Sequence, residues 1–184
     1  MIGKKNVVFG FLYLVLTASL GPYMVVNMFP DMGAAAQEKQ AKVGRLQALK
    51  ENNFEENLEP LKDGAIARAN TEGLLAFNKL YNARQPIDGM KAGPHAHGNL
   101  EAVLNILAGL ALCFIAVSPM FKQLISWVFI AGAVLHSGVL YALAFGIEWV
   151  SIVRPLGPWL VLLGLLLIGI AALMGFKGEL VKDE

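Results

Sequence analysis

The sequence predicts an all-α polytopic membrane protein, a bundle of four transmembrane helices with a helical extramembrane segment between the first and the second. Three observations carry that prediction. Of the 184 residues 56% are hydrophobic and the mean hydropathy is +0.56, more apolar than a water-soluble core of this size requires. Four apolar stretches, residues 6–29, 99–117, 124–147 and 151–176, approach or exceed the roughly 20 helical residues that cross a hydrocarbon core about 30 Å thick. Lysines, finally, gather in the short segments of one side.

The first stretch follows Lys4 and Lys5, and alanines at 34–36 give it the outline of a signal peptide. Its apolar run is longer than the 7 to 15 or so residues of a signal core, so it is expected to be a retained helix. Residues 31–93 hold nine basic and nine acidic residues. That balance leaves no field for nucleic acid or anionic lipid and suits a solvated helical hairpin. Within it Ile66, Asn70, Leu74, Phe77 and Tyr81 recur at helical spacing, a mostly apolar face that would suit a bilayer surface or the end of the bundle.

With the N-terminus inside, Lys4, Lys5, Lys122, Lys177 and Lys182 lie on the cytoplasmic side, and the short outer loop between the third and fourth stretches carries only Arg154. Both termini are therefore expected in the cytoplasm and 31–93 outside, in a bacterial inner membrane. The one cysteine, Cys113, excludes an intrachain disulfide and reads as a small buried hydrophobe. Phosphate loops, CxxC pairs, haem-attachment CxxCH and HExxH are missing.

Polar residues gather where the second stretch begins, in GPHAHGNLEAVLN. His97, Glu101 and Asn105 are spaced i, i+4 and i+8, on one helical stripe that must face protein. The third stretch adds LHSGVLY, with His136 expected near the bilayer midplane and Tyr141 closer to the outside. Arg154 opens the fourth, ahead of Pro155 and Pro158, which suit a first helical turn. Plain structural roles exist for most of these: solvation of His95 and His97 at a helix end, pairing of Glu101 with Arg154, and interhelical hydrogen bonds from Asn105 and Ser137. A histidine at mid-membrane is costly unless it binds or relays something.

Imidazoles in a dry site suit a metal. For zinc the ready set is His95, His97 and Glu101, whereas a haem needs one axial histidine and an apolar slot. On upright helices His97 and His136 are expected about 13 to 16 Å apart along the membrane normal. Trans ligands of one iron lie only about 4 Å apart, so a haem held by His97 alone, with an open sixth position, is expected.

In the second stretch AHGNLEAVLN, in the third SGVLY and in the fourth LGP, the chain resembles the styrene oxide isomerase group, small four-helix membrane proteins that bind haem b and rearrange an epoxide to a carbonyl compound. The resemblance implies His97 as axial ligand of the metal, and Asn105 and Tyr141 as catalytic residues holding the epoxide oxygen. His136, Glu101 and Arg154 would then surround the cofactor. Ferric iron would act as Lewis acid on a small hydrophobic substrate. Two other functions suit the same residues: a haem or redox accessory subunit of a larger membrane complex, and a cofactor-free protein with a proton or small-solute path through Glu101 and His136. Four helices enclose a macrocycle thinly, so besides membrane lipid the expected partner is a second copy or a larger complex.

Overall fold

A computed structural model describes residues 1–181. The chain divides into two compact units, residues 1–21 with 89–184, and residues 22–88. Its helices are α1 (Lys4–Ala18), α2 (Leu20–Asn27), α3 (Phe29–Glu51), α4 (Asp63–Met90), α5 (Ala96–Leu112), α6 (Pro119–Ala133), α7 (Val139–Ala144) and α8 (Leu156–Gly175). Two wide π-helical turns, Lys91–His95 and Val134–Gly138, lead into α5 and α7, and a 3-10 turn, Glu148–Val153, precedes α8.

Three helical runs are long and apolar enough to cross a membrane: Lys4–Asn27, Pro119–Ala144 and Leu156–Gly175. α5, expected as a fourth, is 17 residues long. Among the described residues it is the shortest of the four helical runs that build the first unit, and it packs between α1 and α6.

The first unit is an up-down arrangement of α1, α5, α6 with α7, and α8. α1 lies along α5 at glycine-to-backbone distance. A Cβ on Gly3 would fall 2.0 Å from the Gly109 carbonyl oxygen, so only a residue without a side chain permits that approach. Further along the same contact, Gly98 faces the Thr17 side chain, which fixes the antiparallel register.

At the end where the chain starts, an apolar core of Leu112, Ile115, Ile125, Phe129 and Ala171 closes the gap between α5, α6 and α8. The segment after α8 returns there: Ala116 N donates to Gly175 O at 2.7 Å and Val181 N to Cys113 O at 2.8 Å. Cys113 itself is half-buried, its thiol 3.4 Å from Gly109 O.

α6 starts at Pro119, with the Ser118 hydroxyl accepting from Phe121 N at 3.3 Å. Serine as cap followed by proline in the first turn is a helix start that needs nothing upstream. It lies five positions before the start of the expected stretch 124–147. The fourth stretch is displaced the other way, because residues 151–153 belong to the 3-10 turn and α8 begins at Leu156.

Gly93 and Pro94, expected to end a loop, lie instead inside the Lys91–His95 turn. Proline has no N–H to give and its ring collides with the carbonyl four residues back. Widening the turn relieves both.

In the second unit α3 and α4 are joined through a two-residue antiparallel pairing, β1 (Glu55–Glu56) with β2 (Glu59–Pro60). Lys42 meets Glu72 at 2.8 Å and Lys79 meets Glu38 at 2.6 Å. Along the middle of α4 the buried residues are small, Ala69, Gly73 and Ala76, and Ile87 and Met90 are buried towards its end, while Leu74, Phe77 and Tyr81 of the expected apolar face are exposed. Small side chains let two helices come together there, and the three large apolar ones are left outside.

Candidate metal centre

Two antiparallel helices joined by a short turn bring residues equally far from the turn to the same level. His97 lies about 22 Å along α5 from the 113–118 turn and His136 about 26 Å along α6 and its extension, at 1.5 Å per residue. The two histidines are therefore level, and their ring centres are 4.7 Å apart with planes inclined at 51°. This corrects the expected axial separation and the midplane position of His136. Both errors come from the helix ends: with α5 stopping at Leu112 and α6 beginning at Pro119, His136 sits about two thirds of the way along the run Pro119–Ala144 and level with His97.

Glu101, one turn on from His97, joins them, and the three side chains each offer a ligand atom within 4.8 Å of the others. Glu101 is 3% exposed. Its Oε1 is 2.5 Å from His136 Nδ1, and its Oε2 accepts from Ser137 N at 3.3 Å and from the Ser137 hydroxyl. Ser137 Oγ lies 2.8 Å from the Tyr13 hydroxyl. Without a metal, Nδ1–H of His136 donates to Glu101; for both to hold one ion that proton leaves, and Nδ1 and Oε1 then face the same ion.

The Val134–Gly138 turn presents His136 and Ser137 together, and its partner, Lys91–His95, stands at the entry to α5. Wide turns of this kind are rare and concentrate at functional sites. α8 braces the arrangement: a Cβ on Gly157 would lie 2.3 Å from His136 N, so the glycine lets the start of α8 rest on the backbone that carries the imidazole.

His97 and His136 open onto a cleft of about 570 Å³. Gly93, Leu140, Arg154 and Pro158 are among the residues lining it. His97 is exposed there, and Arg154 is exposed as well.

Four further expectations need correction. Glu101 does not meet Arg154; it is buried against His136 and Ser137, and the arginine lines the cleft outside. Asn105 is 1% exposed and fully engaged: it accepts from Asn6 Nδ2 at 3.0 Å and donates to Glu101 O at 3.0 Å and Phe129 O at 3.2 Å. It has no group left for a substrate. Tyr141 is half-buried and stacks on Phe145 with ring centres 5.2 Å apart, away from the residues lining the cleft. His95, placed in the ready zinc set by its spacing, bonds instead through Nδ1 to Thr17 O at 3.0 Å.

The residues that sequence reasoning passed over are on α1. Asn6, Tyr13 and Thr17 form a polar stripe at i, i+7 and i+11, and all three are buried against the rest of the unit. That periodicity was available in an otherwise apolar helix, and it marks the face turned to protein.

The same geometry bears on a haem held by both histidines, not on one held by His97 alone. Imidazoles on opposite faces of one haem have ring centres more than about 6 Å apart, given iron–nitrogen bonds near 2 Å. At 4.7 Å the pair does not fit that arrangement. It fits neighbouring positions on a single ion.

Residues 99–158 match a family described as a protein of unknown function (DUF423). Comparison with curated proteins gives no match, and neither does comparison with solved structures. The matched stretch contains Glu101, His136 and Arg154 and begins two residues after His97.

Proposed function

We propose that this is an integral membrane protein of four spans that holds one first-row transition-metal ion on His97, Glu101 and His136, at the end of the bundle away from its N-terminus. The observation that carries this reading is the meeting of two imidazoles and one carboxylate, from two different helices, within 4.8 Å. Two nitrogens and one oxygen suit Zn²⁺ or Fe²⁺, and three protein ligands are the number found in sites that leave positions open for chemistry. Bound there, the ion supplies a Lewis acid that polarises an oxygen of a molecule in the cleft. Ser137 and Tyr13 hold Glu101 from behind, and Gly157 lets α8 support His136.

Support for a fourth span is the packing of α5 between α1 and α6, which are both parts of runs long enough to cross. Lys4, Lys5 and Lys177 favour a cytoplasmic N-terminus. Lys122, counted with them in the sequence, is buried, and Lys182 lies outside the described residues. Single cysteines at Gly64 and Lys177, in a Cys113→Ser background, should label from opposite sides of the membrane; labelling from one side breaks the topology.

The metal reading is tested on purified protein loaded with Zn²⁺ or Co²⁺. One ion per chain is expected, with Co²⁺ absorption bands of a nitrogen–oxygen site, and both should be lost in His97→Ala and in His136→Ala. A Soret band that His97→Ala abolishes would put a haem on that histidine and overturn the ion.

A further inference from the structure

The cleft in front of the histidines is charged in one sense. Its lining brings together three nitrogen-bearing side chains, His97, His136 and Arg154, and among the described residues that line it there is no carboxylate. The nearest acid, Glu101, is buried behind the imidazoles with both oxygens taken by His136 and Ser137. Arg154 makes no ion pair among the described residues, although six other basic or histidine side chains are paired or hydrogen-bonded elsewhere.

An arginine is a fixed, always charged fork that matches the two oxygens of a carboxylate. It costs little in water, but on a cleft wall beside a cation site it repels positive ligands and gains only from a negative one. The remaining lining is apolar or bare: Leu140, Pro155, Pro158 and Ala92, with Gly89 and with Gly93, which lies beside Leu140. Such surfaces receive a hydrocarbon body and offer it no hydrogen bonds. The volume, about 570 Å³, is in the range of small-molecule sites.

We infer that the cleft binds a small carboxylate carried on an apolar body, with Arg154 holding the carboxylate and Leu140, Pro155 and Pro158 covering the body. This rests on the metal reading above in one respect, that the ion at His97 and His136 adds to the attraction. Arg154 itself needs no ion to act, which makes the two readings separable.

The test uses the full-length protein in zwitterionic nanodiscs, with 4-fluorobenzoate as probe and its ¹⁹F signal as readout, in zinc-loaded and metal-free samples. Broadening is expected with the wild type. Arg154→Gln should weaken binding ten-fold or more at unchanged zinc content, and Arg154→Lys should recover part of it. 4-Fluorobenzyl alcohol, which lacks the charge, and inorganic phosphate, which lacks the body, should fail to displace the probe at equal concentration. Equal binding by Arg154→Gln, or displacement by the alcohol, by phosphate or by added phosphatidylglycerol, overturns the inference. Protein that takes up zinc but not the probe also overturns it. Arg154-dependent binding in protein that takes up no zinc overturns the metal centre and leaves the anion site standing.

Discussion

Two polar clusters are buried between the same helices and are used in opposite ways. In the first, Asn6, Asn105 and Ser126 close on one another: Asn6 donates to Asn105 Oδ1 and to Ser126 O, each at 3.0 Å, and accepts from the Ser126 hydroxyl. In the second, Glu101 is as deeply buried, but the two imidazoles it stands behind face a cleft. Both clusters satisfy the requirement that a buried polar group find a partner, and among the described residues no buried side-chain nitrogen or oxygen lacks one. The difference is in what is left over. The asparagine cluster spends every donor and acceptor on holding α1, α5 and α6 in register, whereas the histidine cluster retains ring lone pairs at an open surface. Polarity inside a membrane is therefore weak grounds for function until the partners have been counted.

The comparison breaks most visibly if metal affinity and stability respond to the wrong cluster. His97→Ala should lower Zn²⁺ affinity at least 100-fold, about 2.7 kcal/mol, while the metal-free protein keeps its thermal midpoint, because an exposed side chain contributes within about 0.5 kcal/mol. Competition against a chelator gives the first quantity and a melt in detergent the second. A large stability loss without metal would make His97 a packing residue.

Asn105→Ala should do the reverse. It leaves one N–H of Asn6 without its partner, at about 1 to 3 kcal/mol for a buried group, and should leave zinc affinity nearly unchanged. Measured hydrogen-bond losses between membrane helices average nearer about 0.6 kcal/mol, so a small value would say that Asn6 finds a substitute, and a fall in zinc affinity would say that the two clusters are one.

Ser137→Ala sharpens the picture by acting through Glu101. Removing that hydroxyl should cost about ten-fold in zinc affinity, in the manner of residues that orient a ligand, with Ser137→Thr recovering it. Tyr13→Phe, one bond further back, should cost less than Ser137→Ala.

The smallest effect is expected in the second unit, where ion pairs are solvated. The hydrogen bond and charge of Lys42 hold the Glu72 carboxyl below its ordinary 4.5. A carboxyl with a lowered folded value stabilises above its unfolded value and loses that contribution as pH falls through the folded one. Glu72→Gln should therefore flatten the acid limb of hairpin unfolding, followed by circular dichroism below about pH 4.5, and leave neutral stability close to wild type.

Much of the architecture was legible because long apolar runs have few alternatives. The runs at 119–144 and 156–175 follow directly from 124–147 and 151–176, and of the stripe Glu101 and Asn105 do face protein, while His97 opens onto the cleft. Depth was not legible, since it depends on where a helix starts, and the Ser118–Pro119 signal that starts α6 was outweighed by the hydropathy that rises only at Leu124. Once that start and the end of α5 at Leu112 are in place, His136 comes level with His97, and Glu101 exchanges Arg154 for an imidazole. An interhelical hydrogen bond was among the roles the sequence offered Asn105, but its partner was not legible, because Asn6 is on α1, 99 residues away. Tyr141 and Asn105 carried the roles implied by resemblance, and neither lies on the cleft that the histidines face.

The wide turn at Val134–Gly138 has a consequence for reading related sequences. Such a turn accommodates about one residue more than an α-helical turn, and one residue corresponds to about 100° of rotation. A relative with an ordinary α-helical turn there would need a one-residue gap within 134–138 to align correctly. Aligned without it, every position from Ser137 through Tyr141 would be compared with a residue on a different side of the helix, and a shared serine at 137 would be scored as a lost one.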